Sequence, residues 1–183
     1  MRTLFILPLL LLTTLADAAE FKVLRPQQSS VSFISRQMGV PVDGEFRKFT
    51  ADIVLDPAKP EKGKARINID LGSIDTGNQE ANEEVVGKTW FDAKTYPTAS
   101  FVSTAVKALG QGHYAAQGKL TIKGKTLDTQ ADFTIEQKTD LVTLAGSFTL
   151  KRLAYDIGSG IWSDTDTVAD EVLVRFHFVV ARQ

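Results

Sequence analysis

The chain contains no cysteine. That absence excludes disulfides, thiolate catalysis, iron–sulfur clusters and cysteine-ligated zinc. A protein without cross-links must hold its fold by packing and sheet hydrogen bonds. Histidine is nearly as scarce, with only His113 and His177. Neither has a second ligand at metal spacing, and both read as surface residues. Lysine plus arginine (21) almost balances aspartate plus glutamate (22), and no basic block occurs. Nothing in that pattern suits nucleic acid. No G-x-S-x-G, H-E-x-x-H or P-loop pattern supplies a nucleophile, a zinc-protease site or a phosphate cradle. "SDTDTVADE" (Ser163 to Glu171) gathers four carboxylates but lacks the glycine and spacing of an EF-hand loop, so it reads as a solvated acidic loop.

Long apolar runs are missing too, except at the start. Arg2 precedes "LFILPLLLL", and "ADAAE" follows with small residues. A charged start, an apolar middle and an A-x-A-like exit make a secretory signal peptide, cut after Ala18 or Ala19. The run falls short of the ~20 residues a bilayer crossing needs. The expected division is a signal peptide over 1–19 and one domain over 20–183, exported to the periplasm.

What the remainder has in quantity is alternation. In "KARINIDL" Ala65, Ile67, Ile69 and Leu71 share one face, and Lys64, Arg66, Asn68 and Asp70 the other. Period two marks a strand wet on one side only. "TLDTQADFTIE" turns Leu127, Ala131, Phe133 and Ile135 inward. "HYAAQGKLTIK" does the same with Tyr114, Ala116, Gly118, Leu120 and Ile122, and "VTLAGSFTL" with Gly146 and Phe148. "EVLVRFHFVV" contributes Phe176 and Phe178, and leaves His177 outward. "SVSFIS" with Phe33, "FTADIVLD", and "TASFVSTAV" with Ala99 and Phe101 are weaker copies. About eight strands, each dry on one face and with little helix to cover them, require a sandwich or a barrel. "KGK" (Lys123 to Lys125) and "GQG" (Gly110 to Gly112) are tight turns between strands.

One segment departs from the pattern. "TGNQEANEEVVGK" pairs Thr76 with Gln79 as a capping box, places Glu80, Glu83 and Glu84 early, and offers Gly87 as a C-terminal stop. The expectation is a short helix from about Gln79 to Val86. Trp90 and Phe91 follow at once and are expected to fold back over one end of the sheet.

The inward positions mix sizes. Ala65, Ala99, Ala116, Gly118, Ala131 and Gly146 recur on the apolar phase. A small eight-stranded barrel either fills its interior with side chains or holds one ligand, and a glycine in a strand can mark close approach by a ligand or by backbone. Both readings stand: a lumen open to an apolar guest, or a core filled by the phenylalanines. An open lumen would be walled by Phe33, Ala65, Ile67, Ile69, Phe101, Ala116, Gly118 and Leu120. Ala131, Phe133, Gly146, Phe148, Phe176 and Phe178 would complete it, with Trp90 and Phe91 over the end.

The order of these pieces resembles the YceI-like family of exported, lipocalin-like barrels. "QSSVSF" is similar to the family's opening His-Ser-x-Val-x-Phe strand, with Gln28 in the histidine's place. "QMG" stands for a His-Leu-Gly element, with Gln37 and Met38 as departures. "GEFRKFTADIVLD", "INIDLGSIDTGNQEANEEV", "WFDAKTYPTASFVS", "GKLTIKG" and "LKRLAYDIG" follow in family order. The Arg-Asp pair usual near Ala81 and Asn82 is missing. The resemblance covers nearly all of the chain after the signal peptide. It implies an all-β, antiparallel, eight-stranded lipocalin-like barrel with one short helical excursion. It also implies a polyisoprenoid or similar long amphipathic lipid in the lumen, and no enzyme activity. The leading expectation is a periplasmic carrier for such a lipid, a quinone or a prenyl phosphate, with no other cofactor. The departures at Gln28 and Gln37 leave the head group open. The alternative is an interaction or stress protein with a filled core, docking on a membrane redox complex. A homodimer is compatible with either.

Overall fold

The computed structural model describes residues 20–183; the expected signal peptide lies outside the described residues. Eleven strand segments and one α-helix follow in chain order. They are β1 (Phe21–Leu24), β2 (Ser30–Gln37), β3 (Val40–Phe46), β4 (Phe49–Val54), β5 (Lys64–Asp70) and β6 (Ile74–Asp75). After α1 (Gln79–Val85) come β7 (Thr98–Gly110), β8 (His113–Ile122), β9 (Lys125–Lys138), β10 (Leu141–Lys151) and β11 (Glu171–Arg182). No helix among the described residues is long and apolar enough to cross a membrane.

Every pairing is antiparallel, and the segments form one sheet in the order β4-β5-β7-β8-β9-β10-β11-β2-β3-β6, with β1 also on β11. The sheet curls until its ends meet. Phe21 exchanges two backbone hydrogen bonds with Leu55, just past β4, at 2.9 and 3.2 Å. The eight expected strands all form, each within four residues of its expected ends. The larger count comes from bends: a short 3-10 turn at Pro26–Gln28 separates β1 from β2, and Arg47-Lys48 separates β3 from β4. Rejoined across those bends, and without the two-residue β6, the segments are eight staves of a barrel.

Turn chemistry sets the register of the hairpins. Lys123 and Gly124 both have positive φ (49° and 75°), and Ile122 pairs with Lys125 across them. This is the two-residue turn whose twist matches paired strands. Met38-Gly39 does the same between β2 and β3 (φ 48° and 79°). That hairpin is not evident from strand alternation, because β3 (VPVDGEF) carries a proline and a glycine and lies half in water.

Two apolar clusters line the inside. Val31, Ile53, Ile67, Phe133, Val142 and Val180 anchor one, and Leu71, Ile122, Tyr155 and Ile157 the other. Complete burial of a Val- or Leu-sized side chain stabilises by roughly 1.5–3 kcal/mol, so these clusters dominate the fold's stability.

Candidate ligand-binding site

The barrel is hollow. An inner chamber of about 150 Å³ lies among Ile53, Ile67, Val106, Ala131, Phe133 and Phe178. An outer chamber of about 670 Å³ opens at the α1 end. Val31, Ile69, Ala99, Leu120, Phe148 and Val174 border both, so the two are contiguous. The outer volume alone falls within the range of small-molecule sites, about 300–1,000 Å³. The filled-core alternative does not fit a space of that size.

Most of the residues expected on an open lumen do line it. Phe33, Trp90 and Phe91 face the outer chamber, and Ile69, Leu120 and Phe148 border both. Ala65, Ile67, Phe101, Ala116, Ala131, Phe133, Phe176 and Phe178 wall the inner one. Gly118 and Gly146 line neither, which corrects the expectation that they open the lumen. A Cβ on Gly118 would lie 2.5 Å from the Phe101 ring and from the Val102 carbonyl. A Cβ on Gly146 would lie 2.6 Å from the Phe176 ring and would also meet the Asp132 carbonyl. Each glycine is roofed by a phenylalanine from the neighbouring strand. Gly44, opposite Phe33 in the β2–β3 register, forms a third such pair. Space is left at these glycines for a neighbouring ring, and it is the ring that lines the lumen.

The excursion covers the open end. Seven residues make too short a helix to stand alone in water, and α1 has no buried residue, so polar ties hold it. Its N-cap is Asn78, whose side chain accepts from the Ala81 N–H at 3.0 Å. The expected Thr76–Gln79 capping box does not form, because the Thr76 hydroxyl donates to Asn82 Oδ1 at 2.8 Å. Gly87 does follow the C-cap, Val86. Trp162 Nε1 donates to Glu84 Oε1 at 2.9 Å, tying the helix to the loop after β10. Gly158 and Ser159 both donate backbone N–H groups to the Thr89 carbonyl. Phe91 meets Phe46 edge-on at 6.2 Å, and Trp90 lies 5.5 Å from Trp162. Of the two polar departures noted in the sequence, Gln37 lines the outer chamber, whereas Gln28 sits exposed in the turn between β1 and β2, away from the mouth.

Arg152 is the residue that alternation could not find. It follows β10 where a polar side chain reads as solvent-facing, yet it is 2% exposed. Its five N–H groups donate to five carbonyls, those of Ala169, Ile157, Gly158, Trp162 and Val168, at 2.6–3.0 Å. Its guanidinium stands 5.6 Å over the Trp90 ring. Burial pushes its pKa down, and the charge of Asp170 partly opposes that. Burying an ion costs several kcal/mol, but hydrogen bonds from a charged donor are worth ~1.5–3 kcal/mol each. Five of them outweigh the cost and lock the loop to the barrel rim. The signal in the sequence was the element "LKRLAYDIG", an arginine shortly before a glycine whose carbonyl it holds.

The acidic loop has structural duties instead. Asp164 accepts from the Asp166 N–H and the Thr167 hydroxyl, which hold its pKa below the usual carboxylate range, the hydroxyl contributing most. Asp170 accepts from the Leu153 N–H. His113 and His177 are both exposed on the barrel's outside.

The profile described as YceI-like domain matches residues 23–180. The chain belongs to this family. BcnA of Burkholderia cenocepacia, a solved structure, is 46% identical to this YceI-like chain. The superposition covers 85% of this chain and 98% of that one, with a TM-score of 0.83. A UPF0312 protein of Pseudomonas putida is 33% identical over 113 residues, 61% of this chain. The match spans 59% of that relative's own length. A polyisoprenoid binding domain from Saccharophagus degradans, implicated in plant cell wall breakdown, shares the fold at a TM-score of 0.65. It is 18% identical, over 91% of this chain and all of that one.

Proposed function

We propose that the protein is a non-catalytic binding or carrier protein for a polyisoprenoid or similar long amphipathic lipid. The observation that carries this reading is the polarity gradient across two adjoining chambers of the barrel. Its inner part is walled mainly by aliphatic and phenylalanine side chains, with Lys64, Ser100 and Ser103 its polar residues, and more polar groups gather at the α1 end, among them Gln37, Asn78, Glu80 and Glu84. A chain of methylenes and methyls gains ~0.8 kcal/mol for each CH₂ it buries, less the cost of ordering it. Such a wall supplies binding without any reacting group. A barrel of the same fold is known as a polyisoprenoid binding domain, which supports the ligand class. Met38 (73% exposed), Val40 (63%) and Ile161 (83%) adjoin the lumen-lining Gln37 and Trp162, an apolar rim suited to meeting the bilayer from which a lipid is drawn.

The test is organic extraction of protein purified from its native host, followed by mass spectrometry. A stoichiometric isoprenoid is expected, and empty extracts across several preparations would refute the reading. The proposed compartment is the periplasm, reached by way of the signal peptide. N-terminal sequencing of the mature form should begin at Ala19 or Glu20; intact Met1 in a membrane fraction would mean an anchor instead.

A further inference from the structure

We infer that the inner chamber has an outlet of its own, at the barrel end opposite α1, and that an isoprenoid chain longer than the lumen passes out through it. The second half rests on the lipid-carrier reading above and extends it to chain length.

The outlet is a gap in the wall between β5 and β7. Their ladder runs from Asp70↔Thr98, at the α1 end, to Arg66↔Val102, and stops there. β7 continues to Gly110, with β8 as its one ladder partner beyond Val102 among the described residues. The strand bulges at that point, between Ser103 and Ala105. The Ala65 N–H donates to the Ser103 hydroxyl at 2.8 Å, a side-chain tie where the ladder ends. The other lip is the loop after β4, whose Pro60–Lys62 turn lies alongside β7. Where β7 runs free, its lumen face meets water. Val106 lines the inner chamber, and Ala108, two residues on and in the same phase, is exposed.

The chamber reaches this gap. Its lining includes Val54, Gly63 and Lys64 beside Ser103 and Val106. The inward residues of β4, Ala51 and Ile53, are 7% and 5% exposed, whereas Val54 is 36% exposed and pairs with Lys64 on the outer phase. Residues of the outer phase border an inner chamber only where the wall ends. From Ala99 to Val106 the lining follows β7 for roughly 20 Å, at ~3.3 Å per residue. The chamber therefore crosses the barrel from the mouth side to the gap.

The lip suits a passing hydrocarbon chain. Val54 and Val106 are apolar, and a lysine in such a place keeps its ammonium in water while offering its methylene stem. Beyond the lip the chain gains nothing more, because only buried methylenes contribute. Affinity should therefore climb with chain length until the lumen is full, and then level off. A lumen closed at that end would have to fold the surplus back against a packed wall, and the longest chains would bind worse.

The chain has no cysteine, so single cysteines report on access. Val106→Cys marks the gap, and Leu120→Cys marks the border between the chambers. Ser103→Cys is a second probe of the gap should Val106→Cys fail to fold. Each variant of the mature, delipidated protein meets a bulky charged maleimide. A reagent arriving by the α1 mouth passes Leu120 first; one arriving by the gap meets Val106 first. Val106→Cys should label at least ~tenfold faster, since thiol reactivity follows access. Equal or reversed rates, or no labelling at either site, would overturn the outlet.

The labelled Val106→Cys protein, plugged after folding, then tests the passage. Prenyl alcohols of increasing length are titrated into labelled and unlabelled protein. The plug should weaken the longest alcohol at least ~tenfold more than the shortest, a difference of about 1.4 kcal/mol. Saturation with the longest alcohol should also slow the labelling of Val106→Cys. Equal losses at every length, or affinity that falls with length in the unlabelled protein, would overturn the passage of the chain. Failure of every alcohol to bind would refute the carrier reading and the passage with it, whereas the outlet is read by the labelling alone.

Discussion

Gly44 is not in a left-handed conformation, so alanine there meets no backbone strain. In open space, Gly44→Ala would stabilise the protein by about 0.4–1 kcal/mol, because it restricts the unfolded chain. The space is not open. A Cβ at this position would overlap the tip of the Phe33 ring, lie 2.8 Å from that ring's Cε1 and 2.9 Å from the Asp75 carbonyl oxygen. The ring must swing away, and overpacking of this kind costs typically ~1–3 kcal/mol. The overlap outweighs the entropic gain, so the net change should be destabilising. For a chain of this size that means a fall of roughly 2–4 °C in Tm for each kcal/mol. Phe33 also walls the outer chamber, so the displaced ring should weaken lipid binding as well. The assay is a double-mutant cycle with Phe33→Ala, read by urea unfolding. With the ring gone, most of the cost of Gly44→Ala should vanish and its sign can reverse. If Gly44→Ala costs the same in both backgrounds, the ring is not what the glycine accommodates. If it stabilises the otherwise unmodified protein, the overlap argument fails outright.

Three further outcomes follow from the rim. Arg152→Met should destabilise by more than ~3 kcal/mol because it strips five carbonyls of their donor, and Arg152→Lys, with three donors, should recover only part of that in denaturant titrations. Asp75 accepts from the Gly77 N–H, the Asn82 amide and Arg47, and the Gly77 bond does most to lower its pKa. A carboxylate depressed in the fold contributes stability above its unfolded pKa, near 3.8, and loses it as pH falls through the folded value. Hydrogen exchange over residues 75–85 should therefore speed up in that acid range, and Asp75→Asn should flatten the dependence. Trp162→Phe, which removes the donor to Glu84, should raise exchange from Glu80 to Asp92 while leaving β8 to β11 unchanged; uniform change across the barrel would show that the excursion does not open independently.

The strands were legible because one face of each is dry, and alternation is a direct record of that asymmetry. It read β5, β8, β9, β10 and β11 within two residues at either end. It missed β3, where proline, glycine and half-exposed residues erase the record, and β1, too short to show a period. Phase also has a limit. It put Gly118 and Gly146 on the correct face but could not say what lies above them, because the roofing rings belong to other strands. Helix capping failed for a related reason: Thr76 had a better partner in Asn82, which only the folded loop brings within reach. Arg152 was illegible in principle to a local reading, since its five acceptors come from segments 5–17 residues downstream.

The pairing of Phe21 with Arg182 in the β1–β11 ladder has a consequence for how the molecule could be rebuilt. The two ends of the barrel's chain path are neighbours in one antiparallel ladder, so a loop of a few residues would turn them into an ordinary hairpin. The staves would then form a circle without a first or last member. New termini could be opened at Gln111-Gly112, a two-residue turn between β7 and β8, since exposed loop tips are where permutation is tolerated. The permuted chain would keep every ladder and lose only the β7–β8 turn, and its β1 would be joined to β11 by the new loop. The original seam at Leu55, held by two hydrogen bonds, would then be flanked by a covalently closed hairpin.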